Sequence, residues 1–234
     1  MIQTVPKTGS TSADLAARLR AGDHVPEGEW LVAERQTAGR GRLGRAWCDG
    51  AGNFMGSTVV HSAPADPSAP SLALVAGLAV QSCVAACLPD TAAPRLKWPN
   101  DLVIGRSKLA GILLEAEGRA VVVGIGVNLA VAPELPDRPT TAIADYATPP
   151  PPAEFARHLA EAFAREVERW RMYGLDVIIR RWLDLAHPLG TPLVVSGDGE
   201  LGGSFAGLDA QGALQLRLPD GTTRTINAGE VLFA

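Results

Sequence analysis

Hydrophobic and polar positions follow two different patterns along this chain of 234 residues. Up to residue 188, segments with apolar residues at helical spacing alternate with short β-branched runs, which predicts an α+β fold. Beyond residue 188, short alternating runs are separated by the turn sequences GDG, LDAQG and PDG, a pattern typical of a small β-barrel. We therefore predict a larger domain over residues 1–188 and a small one over residues 189–234.

Helical spacing predicts helices over residues 10–22, 72–88, 153–173 and 175–186. The second of these is almost wholly apolar. It is shorter than the roughly 20 apolar residues of a membrane span, and it contains Gln81 and Ser82. We expect a buried core helix there, and a protein that does not enter a membrane.

Strands are predicted over residues 30–33, 56–61, 95–98, 102–104, 112–115 and 121–127. The last run is the richest in β-branched residues. It could lie inside the sheet, or it could pair edge to edge with a second copy of the chain in a homodimer. The sequence leaves both arrangements open.

Composition narrows the class of protein further. The formal net charge is −4, so no overall positive field would hold the chain on nucleic acid or on an acidic membrane. Cys48, Cys83 and Cys87 form an odd set without a CxxC pair, which favours reduced thiols over a disulfide framework or a zinc site. The N-terminus lacks the apolar stretch of a secretory signal. We therefore expect a cytoplasmic protein.

The most distinctive segment is GRGRLGRAW, residues 39–47, which holds three arginines and three glycines. Arginine offers a planar fork for phosphate or carboxylate oxygens, and glycine lets the backbone approach a ligand closely. The glycines also satisfy G-x-G-x-x-G, but the sequence that follows lacks the helix that a dinucleotide-binding fingerprint requires. The segment alone is either an anion-binding loop or a solvated basic turn.

Two further motifs favour the anion-binding interpretation. They are RLKWPND at residues 95–101 and GRSKLAGILLE at residues 105–115, while TGSTSADL occurs near the start of the chain and GIGVN at residues 124–128. With these motifs the sequence closely resembles the biotin protein ligases, which carry GRGRxGRxW, KWPND and KLAGILxE in this order. The resemblance extends over nearly the whole chain from Thr8 onward. It departs at Ser12, where the family usually has asparagine.

The resemblance implies a mixed-sheet catalytic domain of the biotin/lipoate ligase type, followed by a small SH3-like β-barrel. It implies that biotin is activated with ATP and Mg²⁺ to biotinyl-5'-AMP and passed to a lysine of a biotin carboxyl carrier protein. No helix-turn-helix segment precedes Thr8, so a monofunctional enzyme is expected.

Site residues follow from the resemblance, position by position. Lys108 and Arg42 are the expected catalytic residues. The expected biotin-binding residues are Ser10, Thr11, Ser12, Gln36, Gly39, Arg40, Gly41, Arg42, Lys108, Gly111 and Gly126. The expected ATP- and adenylate-binding residues are Arg42, Arg45, Trp47, Lys97, Asn100, Asp101, Lys108 and Asn128. No protein ligand of the magnesium ion can be named.

Simpler roles remain open for several of these positions. The hydroxyls of residues 10–12 could cap a helix, and Asn100 and Asp101 could cap a turn. Lys97 could face solvent, Lys108 could lie at a strand edge, and the strand glycines could mark bulges. Two other functions also remain open, a lipoate or octanoate protein ligase of the same fold and a biotin-binding regulator without catalysis.

Overall fold

The computed structural model describes residues 1–196 and 200–234. The predicted GDG turn at residues 197–199 lies outside the described residues. Four α-helices are present in the described ranges: α1 (Thr11–Arg20), α2 (Leu72–Ala85), α3 (Pro152–Tyr173) and α4 (Leu175–Leu185). The strands of the first sheet are β1 (Ile2–Val5), β2 (Trp30–Ala33), β3 (Phe54–His61), β4 (Pro94–Lys97), β5 (Asp101–Ile104), β6 (Ser107–Glu117) and β7 (Ala120–Val127). The α+β prediction is confirmed.

The first sheet has the strand order β1-β2-β3-β7-β6-β5-β4. It is mixed, because β1 runs parallel to β2 while the other neighbouring strands are antiparallel. Strand β7 pairs with β3 on one side and with β6 on the other. The idea that residues 121–127 form a dimer edge is therefore wrong, since both sides of this strand are already paired within the sheet.

Helices cover both faces of this sheet. Helix α1 packs on one face, where Leu15 and Val122 belong to a small apolar cluster. Helices α2, α3 and α4 cover the other face and build the main core around Trp30, Trp170 and Trp182. Helix α2 is buried along almost its whole length, as its apolar sequence predicts. In the described ranges, no helix has the length and apolar character needed to cross a membrane.

Side-chain alternation along β7 explains where the sheet leaves space. Its odd-numbered positions, from Val121 to Val127, lie in the main core. The opposite face carries Val122 beneath α1 and then Gly124 and Gly126. Because glycine has no side chain, this face has a recess beyond the part that α1 covers.

The element boundaries depart from the sequence prediction in a few places. Helix α2 ends at Ala85, three residues before the predicted end, because the chain turns ahead of Pro89, which cannot continue a helix. Strand β6 is much longer than predicted, since Lys108 and Gly111 interrupt its apolar pattern but still pair in the sheet. Strand β1 is absent from the prediction, and its four residues at the sheet edge show little apolar alternation.

The C-terminal segment forms a second, smaller sheet. Its strands are β8 (Pro192–Ser196), β9 (Glu200–Leu208), β10 (Leu214–Arg217), β11 (Thr223–Ile226) and β12 (Glu230–Phe233). They are antiparallel and have the order β11-β10-β9-β8-β12. The LDAQG and PDG turns lie where predicted, and the carboxylates of Asp209 and Asp220 accept hydrogen bonds from backbone N–H groups inside them. The predicted small SH3-like unit is confirmed.

The second sheet packs against the first unit through aromatic and polar contacts. Trp98 donates a hydrogen bond from its indole N–H to the carbonyl oxygen of Gly212 at 3.0 Å. His187 lies near the rings of Phe205 and Phe233, at centroid distances of 4.4 and 5.5 Å. Burial lowers the pKa of His187 to about 4, and the positive charge of a nearby lysine acts in the same direction. The imidazole is therefore neutral at physiological pH.

The neutral state of His187 makes stability depend on pH. Since the pKa of this side chain is lower in the folded than in the unfolded chain, its contribution is complete above pH 6.5 and is lost as the pH falls toward 4. We expect the free energy of unfolding of the wild type to fall by about 2 kcal/mol between about pH 7 and about pH 5 because of this side chain. Urea unfolding at both pH values should show a smaller fall in the free energy of unfolding for His187→Phe than for the wild type.

The exposed His158 on α3 provides the matched control. His158→Phe should keep the wild-type pH dependence of the free energy of unfolding. An unchanged pH dependence in His187→Phe would contradict the assignment of a buried neutral imidazole.

Candidate active site

A cavity of about 350 Å³ lies over the glycine face of β6 and β7. It is bounded by the start of α1, the segment 40–48, the turn after β4 and the loop that follows β7. All of the predicted site residues except Gly39 lie in its wall: Ser10, Thr11, Ser12, Gln36, Arg40, Gly41, Arg42, Arg45, Trp47, Lys97, Asn100, Asp101, Lys108, Gly111, Gly126 and Asn128. Residues from distant parts of the chain thus meet in one site.

Gly39 is placed differently from the prediction. It lies at the base of the 39–47 segment, where its carbonyl oxygen accepts a hydrogen bond from the Trp47 N–H at 2.9 Å. A Cβ at Gly39 would come within 2.7 Å of the Trp47 carbonyl oxygen. Glycine at this position is explained by the closure of the loop, and the structure does not bring it into the cavity wall.

The end of the cavity nearest α1 is polar but uncharged. Gln36 receives two hydrogen bonds at its side-chain oxygen, from the backbone N–H of Thr11 at 2.7 Å and from the Thr11 hydroxyl at 3.1 Å. Ser10 lines the cavity and also caps α1, because its hydroxyl accepts a hydrogen bond from the Ala13 N–H at 3.4 Å. The capping role and a place in the site are therefore compatible.

The other end is rich in positive charge around one carboxylate. The Nζ atoms of Lys108 and Lys97 lie 2.6 and 3.6 Å from the two carboxylate oxygens of Asp101. Burial alone would raise the pKa of Asp101, but the two ammonium groups hold it below its usual value. Burial lowers the pKa of Lys97, and Asp101 opposes that shift. Asp101 therefore stays ionised and keeps two lysines in place.

Arg42 spans from the loop to two other parts of the wall. Its guanidinium donates to the side-chain oxygen of Asn100 at 3.1 Å and to the carbonyl oxygen of Gly229 at 3.3 Å. Asn100 is fixed in turn, since its Nδ2 donates to the Ile112 carbonyl oxygen at 2.7 Å. Asn100 thus stabilises the turn and also contacts an expected catalytic residue. Burial lowers the pKa of Arg42, which remains a cation.

Trp47 covers the glycine face of the sheet. A Cβ on Gly126 would lie 2.3 Å from the indole ring, and one on Gly111 would lie 3.0 Å from it. The Lys108 ammonium is 5.8 Å from the ring centroid, within the range of a cation–π contact. The register of β6 and β7 is regular at both glycines, so they permit close approach rather than mark bulges.

The remaining loop arginines form ion pairs at the rim of the cavity. Arg40 lies 3.0 Å from a carboxylate oxygen of Glu115 on β6. Arg45 forms a salt bridge with Glu230 of the second sheet. These two contacts hold the loop to both units of the chain.

The backbone of the loop requires glycine at one point. Positive φ occurs at Leu43, at 56°, and at Gly44, at 73°, whereas Gly41 has an ordinary extended conformation. The left-handed region favours glycine because a Cβ is poorly tolerated there. The conformational freedom of glycine is therefore used at Gly44 and not at Gly41.

Sequence patterns do not reveal several residues of the wall. Ser57 is buried on β3, Arg138 lies in the proline-rich segment after β7, and Glu230 begins β12. Arg138 and Glu230 form a salt bridge at 2.7 Å. The proline-rich segment looks like a linker in the sequence, yet it runs beside Lys108, whose N–H donates to the Pro139 carbonyl oxygen at 2.9 Å. These residues can be recognised as part of the site only from the three-dimensional structure, in which distant segments of the chain come together.

Asn128 closes the wall beyond the end of β7. Its Nδ2 donates to the Thr141 carbonyl oxygen at 3.0 Å, and its Oδ1 has no hydrogen-bond partner within residues 1–196 and 200–234. Within the same ranges, no group of three or more His, Cys, Asp and Glu side chains has the arrangement of a metal site.

The cavity joins an uncharged polar subsite to a cluster of cations, and the fold around it is that of a known class of ligases. The sequence of residues 10–131 matches the model of the biotin/lipoate A/B protein ligase family, and residues 193–233 match the model of the biotin protein ligase C-terminal domain. The chain belongs to this family, as a biotin protein ligase.

Individual relatives support the same membership. The chain is 40% identical to the biotin–[acetyl-CoA-carboxylase] ligase of Paracoccus denitrificans, over 97% of this chain and 98% of the relative. It is 35% identical to the enzyme of the same name from Mycobacterium tuberculosis, over 99% of this chain and 88% of the relative. Among solved structures, the biotin protein ligase of Aquifex aeolicus in complex with biotin and ATP has a TM-score of 0.87, covers 100% of this chain and 99% of its own, and is 23% identical. At this identity the likeness to the Aquifex structure concerns the fold.

The position of Asp101 between two lysines generates a stability prediction. Asp101→Asn keeps the shape of the side chain but leaves the buried ammonium group of Lys97 and the half-buried one of Lys108 without their counter-ion, which should destabilise the fold by about 3 kcal/mol at neutral pH. Urea unfolding measures this change. Asp137→Asn is the matched control, because Asp137 is a half-exposed carboxylate of the same wall; its effect should stay within about 1 kcal/mol. Equal stability of Asp101→Asn and wild type would contradict the bridging role.

Proposed function

We propose that this chain activates biotin with ATP to biotinyl-5'-AMP and transfers the biotinyl group to a lysine of a biotin carboxyl carrier protein. The observation that carries the proposal is that one cavity has a polar, uncharged end and a positively charged end. One end offers hydroxyl and amide groups that suit a polar, uncharged head group, and the other offers Arg42, Lys97 and Lys108. Biotin itself has a neutral ureido ring at one end and a carboxylate at the other.

The first step brings together two anions that repel each other, the biotin carboxylate and the α-phosphate of ATP. A carboxylate oxygen attacks the phosphorus atom, an acyl phosphate bond forms, and pyrophosphate leaves. We assign Lys108 and Arg42 to the neutralisation of charge on the reacting oxygens, since fixed cations in a site shielded from water stabilise such a transition state strongly. No nucleophilic side chain is required.

Neighbouring residues of the KWPND motif support these two assignments. Asn100 holds Arg42, and Asp101 holds Lys108, through the contacts of 3.1 and 2.6 Å. Because the two holders are consecutive in the chain, one turn orients both cations. Asp101 is a positioning residue in this proposal, and its own charge is already balanced by the lysines.

The second step transfers the biotinyl group to the carrier. The neutral amine of the acceptor lysine attacks the acyl carbon of the mixed anhydride, an amide bond forms, the acyl–oxygen bond to AMP breaks, and the amine loses a proton. Arg42 and Lys108 stabilise the leaving phosphate in this step.

The other wall residues divide between the two substrates in the same proposal. We assign to the nucleotide side Arg45, Trp47, Lys97 and Asn128. We assign to the biotin side Ser10, Thr11, Ser12, Gln36, Arg40, Gly41, Gly111 and Gly126. The position of Ser10, Thr11, Ser12 and Gln36 at the uncharged end supports their assignment, and Lys97 lies among the cations around Asp101. The other assignments follow from the family resemblance.

The organisation of the chain belongs to the same proposal. We assign residues 1–188 to a catalytic domain and residues 189–234 to a C-terminal domain, and the two separate family matches support this division.

Magnesium enters with ATP as part of the substrate complex, as is usual for ATP-dependent enzymes. Asp101 is already engaged by two lysines, so we assign it no role as a metal ligand. The three cysteines are free thiols, which is consistent with a reducing cytoplasm.

Pyrophosphate release tests the activation step directly. With ATP and Mg²⁺ but no acceptor protein, release should depend on biotin and should not occur with lipoate or octanoate. Release with lipoate or octanoate alone would assign the chain to the neighbouring acyl ligases. No release with any of the three acids would favour a binding protein without catalysis.

Lys108 should be needed for the reaction, and the fold should survive its removal because Lys97 remains beside Asp101 as a counter-ion. Lys108→Ala removes the ammonium group from the expected reaction centre and should lower the rate of biotin-dependent pyrophosphate release about 100-fold or more. The exposed Lys7 supplies the matched control, since Lys7→Ala removes a lysine that is not part of the cavity wall. A Lys108→Ala enzyme with wild-type turnover would refute the assigned role.

A further inference from the structure

The hydroxyl groups at the uncharged end of the cavity form a continuous chain of hydrogen bonds. Ser12 Oγ lies 2.9 Å from Ser57 Oγ, and Ser57 Oγ lies 2.7 Å from Thr11 Oγ1. Thr11 Oγ1 in turn lies 3.1 Å from the side-chain oxygen of Gln36. All four residues are buried and line the cavity. Ser57, from the neighbouring strand β3, therefore links the two hydroxyls of α1.

Gln36 determines the direction of these hydrogen bonds. The atom near Thr11 must be the amide oxygen, because it also receives the Thr11 backbone N–H at 2.7 Å. An amide oxygen only accepts, so the Thr11 hydroxyl gives its single proton to Gln36. Thr11 Oγ1 can then only accept from Ser57, and Ser57 can only accept from Ser12. The protons therefore point in one direction, from Ser12 through Ser57 and Thr11 to Gln36.

This direction decides what a ligand finds in the cavity. Each hydroxyl has one proton and two lone pairs, and every proton is used within the chain of hydrogen bonds. Thr11 and Ser57 each keep one lone pair, and Ser12 keeps two. The hydroxyl groups thus present acceptors to a bound molecule, and the amide N–H₂ of Gln36 supplies donors beside them.

We propose that Ser57 is a further specificity-determining residue for a head group with N–H donors, because it links the hydroxyls of Ser12 and Thr11. The inference rests on the proposed function, in which that head group is the ureido ring of biotin. Its two N–H groups match the hydroxyl lone pairs, and its carbonyl oxygen matches the Gln36 amide. A fatty acyl chain offers none of these groups, so the same hydroxyls disfavour it by remaining desolvated without partners.

Gly124 makes room for this arrangement. It lies directly opposite Ser57 in the pairing of β3 and β7. A Cβ at Gly124 would come within 2.3 Å of Ser12 Oγ and within 3.5 Å of Ser57 Oγ. The short Ser12 side chain therefore reaches Ser57 across a position that has no side chain of its own.

The test compares Michaelis constants for pyrophosphate release. Ser57→Ala breaks the link and should raise the KM for biotin about 10-fold, because one hydrogen bond to the ligand is lost and the hydroxyls of Ser12 and Thr11 lose their common partner. The KM for ATP should stay unchanged. Ser12→Ala should raise the KM for biotin less, since it removes only the first donor and leaves the order from Ser57 to Gln36 intact.

Thr58→Val is the matched control for the loss of a buried hydroxyl. Thr58 is the next residue on β3 and is fully buried, and its hydroxyl donates to the Glu29 carbonyl oxygen at 2.7 Å, away from the cavity. This variant should leave both Michaelis constants at their wild-type values. If Ser57→Ala instead changed the constants for biotin and ATP equally, the effect would be structural and the proposal would be overturned.

A biotin analogue methylated on a ureido nitrogen provides a second readout. It lacks one N–H donor, so the wild type should bind it about 10-fold more weakly than biotin, and Ser57→Ala should show a smaller penalty. An equal penalty in both enzymes, or an unchanged KM for biotin in Ser57→Ala, would overturn the hydroxyl chain as a specificity device. A wild-type enzyme without biotin-dependent pyrophosphate release would instead overturn the proposed function.

Discussion

The missing side chains on one face of β7 are the constraint on which the rest of the site depends. A strand at the centre of a sheet normally carries side chains on both faces, and here Val122 fills its face beneath α1. The next two positions on that face are Gly124 and Gly126, and neither leaves room for a Cβ. Ser12 reaches over the first and Trp47 covers the second. A methyl group at either glycine would displace one of these residues and reduce the cavity.

The positive end of the cavity depends on contributions from both units of the chain. The guanidinium of Arg42 donates to one acceptor in the first unit and to the Gly229 carbonyl oxygen in the second. Glu230 forms salt bridges with Arg45 and Arg138, and both arginines hold the pKa of this carboxyl below its usual value. The C-terminal sheet therefore does more than pack beside the first unit, because its last strand and the turn before it supply acceptors that fix arginines of the wall.

The sequence predicts most of the helices and strands because their burial patterns are simple. Helix α2 is apolar on all sides and is buried on nearly all sides, and the β-branched run of β7 is a central strand. The motifs also identify most of the cavity wall, since the charged and glycine-rich segments converge in space. Strand β6 is harder to predict, because the residues that face the cavity are not the apolar ones that its core face requires.

The residues that escape prediction share a physical reason. Ser57 becomes part of the site through the register that sets it opposite Gly124, and that register is a long-range property of the sheet. Arg138 and Glu230 meet only when the segment after β7 and the start of β12 come together. Local sequence patterns do not predict such long-range contacts. Gly39 is the opposite case, a residue that the motif predicts for the site but that lies outside the cavity wall. Its role is to close the loop.

The arginines of the loop also determine how binding responds to salt. All three already have oxygen partners, which lie on Glu115, Asn100, Gly229 and Glu230. Arg40 and Arg45 are paired with carboxylates and Arg42 with neutral oxygens, so an incoming phosphate or carboxylate exchanges with acceptors that are already bound and does not meet three bare cations. The affinity is then a difference between two sets of contacts, and its dependence on ionic strength is shallower than three free arginines would give. Such a site selects for anions that compete well against a carboxylate, which favours the multiply charged phosphate chain of a nucleotide over a singly charged ion.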